Sequence, residues 1–63
     1  MDYTLVQVHY YETHGNLYAE AGATIEDRHG NQYEADATLV YEGDWILHEV
    51  VSLYDKEGNS IPA

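Results

Sequence analysis

Asp27-Arg28-His29-Gly30-Asn31 is the stretch that decides the fold, because the chain repeats its pattern on either side. Glu12-Thr13-His14-Gly15-Asn16 precedes it and Asp55-Lys56-Glu57-Gly58-Asn59 follows it. Each copy reads acid, any residue, His or Glu, Gly, Asn, and each lies between apolar, Tyr-rich runs. That is the chemistry of a three-residue hairpin loop, in which a type I turn is followed by a left-handed residue that forms a bulge. Gly takes the left-handed position without a steric penalty. A fourth turn, Glu42-Gly43-Asp44-Trp45, differs in type but keeps the spacing.

The runs between the turns read as strands. Residues 3–12 and 45–54 are β-branched and aromatic, with apolar side chains on both faces, which suits strands covered on both sides. Residues 17–26 alternate, with Leu17, Ala19, Ala21, Ala23 and Ile25 against Tyr18, Glu20, Gly22, Thr24 and Glu26. Residues 32–41 do the same, with Tyr33, Ala35, Ala37, Leu39 and Tyr41 against Gln32, Glu34, Asp36, Thr38 and Val40. Strict alternation marks a half-buried strand. Ser60-Ile61-Pro62-Ala63 supplies a short edge strand, where Pro62 is tolerated. No segment carries a helical pattern.

Loop type and face pattern together predict the register. A three-residue loop closed by Asp27 and Asn31 pairs Ile25 with Tyr33, Ala23 with Ala35, Ala21 with Ala37 and Ala19 with Leu39. The same loop closed by Glu12 and Asn16 pairs Tyr3 with Ile25, Leu5 with Ala23 and Tyr11 with Leu17, and puts Gln7 and His9 on the alanine face. At Gly43-Asp44 two loops compete. A two-residue loop brings Ile46, His48 and Val50 to the core, and a three-residue loop brings Trp45, Leu47 and Glu49.

The fold expected is all-β, a five-stranded antiparallel up-and-down meander forming a single domain over residues 1–63. One sheet with an apolar face cannot stand alone in water. It must curl into a small barrel or pack as a dimeric sandwich against a second copy. The alanine ladder allows a facing sheet, or large residues such as Trp45 and the tyrosines, to approach closely, and Gly22 offers a place where a curled sheet can bend. The reading leans to the barrel. A chain of this length buries only about 60% of its unfolded surface, so its stability is expected to be marginal.

Charge limits the partners. Twelve acids against one Arg and one Lys give a formal net charge of −10. Direct binding of nucleic acid or of an anionic membrane is excluded, since neither phosphates nor lipid headgroups would find cations. A partner should be a basic protein. The absence of Cys removes disulfides and thiolate metal sites. Met1-Asp2-Tyr3-Thr4 lacks the basic and apolar regions of a secretory leader, and no apolar run approaches the roughly 20 residues of a membrane helix. The expectation is a cytoplasmic protein with no membrane association.

No catalytic or metal-binding pattern emerges. Of the four His, only His9 and His48 share a row, and only in a closed barrel, with no third ligand in view. There is no nucleophile elbow or phosphate loop. The chain reads as a non-enzyme without a cofactor or a metal. One feature points to a partner. Glu20, Glu26, Glu34 and Asp36 project from the outer face of the middle hairpin, away from the alanines, with no Lys or Arg among them. Tyr10 and Tyr18, predicted to face each other across the first hairpin, flank them on that side. Like charges on adjacent strands destabilise a sheet, so the clustering suggests a use. Spaced carboxylates with aromatics nearby can imitate a phosphate backbone, as in small inhibitors of nucleic-acid-handling proteins from phage and mobile elements. The alternative is a structural module that homodimerises through its apolar sheet face.

Overall fold

The computed structural model describes residues 3–62; Ala63, included above in the last strand, lies outside them. Five strands run in sequence order in one antiparallel sheet: β1 (Tyr3–Thr13), β2 (Tyr18–Asp27), β3 (Gln32–Tyr41), β4 (Trp45–Tyr54) and β5 (Ser60–Ile61). There is no helix among the described residues. The sheet is open. β1 lies at one edge and β5 at the other, so the expected barrel does not close.

The middle hairpin is as regular as its alternation. Ile25 pairs with Tyr33, Ala23 with Ala35, Ala21 with Ala37 and Ala19 with Leu39, without a bulge. Its turn closes on Asp27 and Asn31, whose backbones meet at 2.9 Å, and Gly30 takes the left-handed position at φ 85°. The Asp27 carboxylate supports the loop from inside: Oδ1 accepts the N–H groups of His29 (2.8 Å) and Asn31 (3.0 Å), and Oδ2 accepts the Asn31 side-chain amide (3.2 Å). Asp55 repeats this between β4 and β5, with N–H bonds from Glu57 and Asn59 at 2.9 Å each.

The first hairpin departs from its expected register. β1 meets β2 with Tyr11 opposite Ala21 and Thr13 opposite Ala19, and the His14 N–H reaches the Tyr18 carbonyl at 2.8 Å. Tyr11 therefore does not meet Leu17. The acid explains the shift. Asp can bond to backbone N–H groups two residues ahead, forming an Asx turn, whereas Glu carries an extra methylene that spoils this local ring. The copy that begins with Glu12 lacks the internal brace, and Glu12 stays in the strand opposite Glu20.

The two strands flanking the middle hairpin are irregular in the same way. In β1 the pairing shifts between Leu5 and Gln7 and again between Val8 and Tyr10. In β4 it shifts across Val51 and across His48. Each shift leaves one extra residue, so Leu5, Val8 and Tyr11 fall opposite Ile25, Ala23 and Ala21. Likewise Leu47, Val50 and Leu53 fall opposite Leu39, Ala37 and Ala35. These bulges resolve strands whose apolar residues occupy both faces. Gln7 and His9 do not face the alanines. β4 follows neither proposed register throughout: Trp45 and Leu47 face inward as a three-residue loop requires, but Val50 replaces Glu49.

Bulges strengthen twist and bend a strand. The flanks accordingly fold over the hairpin, and Leu5 and Leu47 pack against both halves of the core. Ala19, Ala21, Ala23, Ala35 and Ala37 are each at most 5% exposed, beneath the larger side chains of β1 and β4. The alanine ladder is thus covered within one chain. Bulges along exposed edges also discourage sheets from pairing edge to edge.

Candidate functional site

The outer face of β2 and β3 carries Tyr18, Glu20, Gly22, Thr24 and Glu26 beside Gln32, Glu34, Asp36, Thr38 and Val40. All four carboxylates expected there share this face. The register sets each of them opposite a neutral residue across the hairpin: Glu20 meets Thr38, Glu26 meets Gln32, Glu34 meets Thr24, and Asp36 meets Gly22. Direct like-charge pairs are avoided between β2 and β3. The exception lies across β1 and β2, where Glu12 faces Glu20.

Neighbouring strands hold these carboxylates in place. His9, displaced to the outer side by its bulge, brings Nε2 to 2.9 Å from Glu34 Oε1 and 2.8 Å from Thr24 Oγ1. Thr24 donates its hydroxyl to Glu34 Oε2 at 2.6 Å. A carboxylate only accepts hydrogen bonds, so Nε2 must carry the proton. His14 Nε2 likewise donates to Glu20 Oε2 at 2.7 Å. On the other flank the Tyr54 hydroxyl donates to Asp36 at 3.3 Å, and Gln32 reaches Glu26 at 3.5 Å. Despite these contacts the side chains of Glu20 and Glu34 remain 64% and 48% exposed. They are positioned and still wet.

Tyr10 does not face Tyr18 as expected. The shifted first hairpin sets it opposite Gly22, and its ring lies over that glycine. A Cβ on Gly22 would stand only 2.3 Å from the Tyr10 ring carbons. The missing side chain therefore makes room for an aromatic ring; Gly22 has an ordinary strand backbone. Tyr18 instead leans toward His14, ring centroids 6.0 Å apart. Beside Tyr10 a hollow of about 320 Å³ opens, lined by His9, Gly22, Glu34, Asp36 and Tyr54 among others. Thr38, in the same strand, is buried, and its hydroxyl has no hydrogen-bond partner among the described residues.

Thr24 was legible on this face from alternation, but His9, His14 and Tyr54 were not. Their placement depends on the slipped turn and the bulges, and only the exact register brings them to the carboxylates. The sheet does not close, so His9 and His48 share no row. Among the described residues no group of three or more His, Cys, Asp or Glu is arranged to hold a metal ion. No helix there is long and apolar enough to cross a membrane. Comparison of the chain with protein-family models, with curated proteins and with solved structures gives no match.

Proposed function

We propose that this chain is a small acidic protein-binding module whose outer face meets a basic protein, in the manner of a nucleic-acid mimic that inhibits a nucleic-acid-handling partner. One observation carries the reading: Glu20, Glu26, Glu34 and Asp36 share one face, and the strands contain no Lys or Arg. The hydrogen bonds from His9, Thr24, His14 and Tyr54 support it further. Carboxylates already held in place lose less conformational freedom when a cation docks on them. The assembly alternative loses its main surface, because the alanine face is already covered inside one chain.

Pull-down from a lysate of the source cell with the parent chain and with the double variant Glu34→Lys/Asp36→Lys tests the proposal. The parent should retain a basic protein that duplex DNA displaces and that the variant fails to hold. Equal retention by both chains would reduce the acidic face to a solvated surface.

A further inference from the structure

The aromatic residues left at one end of the sheet carry a second inference. In a meander the first and third turns lie at one end and the second and fourth at the other. The end with the first and third turns holds Tyr11, Leu17, Tyr41 and Trp45, with Tyr11 and Leu17 each 63% exposed. A groove of about 510 Å³ opens there, walled by Val8, His9, Tyr10, Tyr11, Leu39 and Trp45. Tyr41 meets the Trp45 ring edge-on at 5.4 Å. The groove's exposed rings, Tyr10 and Tyr11, are 65% and 63% accessible, so a partner can reach them.

Charge identifies the occupant. Three aromatics at this end have an acid as chain neighbour: Glu12 follows Tyr11 but turns to the other face, Glu42 follows Tyr41 at the third turn, and Asp44, whose carboxylate accepts the Trp45 N–H at 2.9 Å, precedes Trp45. Both cationic residues, Arg28 and Lys56, belong to the turns at the opposite end. The groove wall itself holds no carboxylate, but its rim at the third turn is acidic and this end carries no Lys or Arg. Electron-rich ring faces in such a field attract a guanidinium or ammonium group, and Trp is the best of the rings for this. We infer that the groove takes an apolar segment of a protein partner that carries an Arg or Lys side chain against Trp45 and Tyr11. The inference rests on the reading of the chain as a binder of basic proteins, and it adds an apolar contact that salt screens less than the acidic face. Tyr10 borders both the groove and the acidic hollow, so one partner can span the two.

Trp45 is the single Trp of the chain, so its emission reports the groove directly. The probe is an acetylated, amidated hexapeptide of alternating Arg and Leu. Two controls accompany it, one with Ser replacing Leu and one with citrulline replacing Arg. The Arg–Leu peptide should shift Trp45 emission saturably and bind more tightly than either control. Tyr11→Ala should weaken it about two- to fivefold, the worth of one exposed cation–π contact. The exposure of Tyr11 makes loss of folding improbable as a cause, and an unchanged far-UV circular dichroism spectrum checks this. Glu42→Gln/Asp44→Asn should weaken the Arg–Leu peptide and leave the citrulline peptide unchanged.

Equal binding of the Ser control, or of Tyr11→Ala, overturns the inference. So does sedimentation of the parent as a dimer that Tyr11→Ala converts to a monomer, because the occupant would then be a second copy. Glu34→Lys/Asp36→Lys separates the two sites. If that variant loses the captured partner while Tyr11→Ala keeps it, the groove fails and the acidic face stands. The reverse result would sink the acidic face and leave the groove.

Discussion

The middle hairpin and the strands on either side of it use opposite solutions to one packing problem. β2 and β3 are regular, strictly alternating and faced with alanine, and they pair without a bulge. β1 and β4 carry the large apolar side chains and break register twice each. The difference shows how so short a chain covers an apolar sheet face without a helix or a second sheet. Small residues in the centre leave room, and bulged flanks swing Leu5, Val8, Leu47 and Val50 into it. The outer face of the regular hairpin is left free to carry charge.

The strongest way to break this comparison is to fill the room left by the alanines. Ala21→Leu or Ala37→Leu should overpack the space beneath the flanks and cost about 1–3 kcal/mol. Thermal melting reads the effect, and variants that melt like the parent would mean that the flanks do not close over the ladder.

The bulges themselves come next. With Leu47 and Leu53 facing inward, a strand without bulges would also turn Val51 inward and Val50 outward. The observed register reverses the two, and Val51 is 61% exposed. Val50→Thr and Val8→Thr should each cost about 1 kcal/mol, because a hydroxyl enters an apolar cluster. Val51→Thr and Val6→Thr should stay within about 0.5 kcal/mol of the parent. Equal costs within either pair would refute the bulged register.

These strands show where the sequence was legible and where it was not. Strict alternation in residues 17–26 and 32–41, with an Asp-x-His-Gly-Asn turn between them, specified one pairing, and that pairing is observed. In β1 and β4 the apolar residues Leu5, Val8, Tyr11 and Leu47, Val50, Leu53 are spaced by three. That spacing fits neither face of a simple strand, and a bulge at each step is what reconciles it. Reading both faces as apolar missed this signal. The first turn misled for a different reason, since Glu12 resembles Asp27 in charge but not in reach. Of the site, the four carboxylates and their common face followed from alternation alone. Apart from Thr24, the groups that hold them followed from nothing local, because His9 and His14 arrive through a bulge and a slipped turn.

The turns give a smaller and pH-dependent test. Partial desolvation pushes the Asp27 carboxyl up, but the N–H bonds from Asn31 and His29 outweigh it and hold the pKa below the usual value. The Asn59 N–H, aided by that of Glu57, lowers Asp55 against its own desolvation. A carboxyl depressed in the folded state stabilises fully above its unfolded pKa, and the contribution is lost as pH falls through the folded one. Melting temperature should therefore fall as pH drops below the ordinary carboxylate range near 3.8. Asp27→Ala and Asp55→Ala should lower it at neutral pH and flatten that decline.

The smallest expected effect on stability belongs to the acidic face. Glu34→Lys/Asp36→Lys relieves repulsion with Glu20 and Glu26 but gives up the bonds to His9, Thr24 and Tyr54. Stability should move by no more than about 0.5 kcal/mol, as for other surface changes. Its effect on binding should be large by comparison, and that contrast leads to the most direct test. Exposed charges are screened within roughly 8–10 Å at physiological ionic strength, and long-range attraction acts on encounter more than on residence. The measurement is the association rate of the captured basic partner as a function of salt, for the parent and for Glu34→Lys/Asp36→Lys. A steep fall with salt in the parent and a much flatter, slower line in the variant is the expected result; parallel lines of equal height would contradict a functional acidic face.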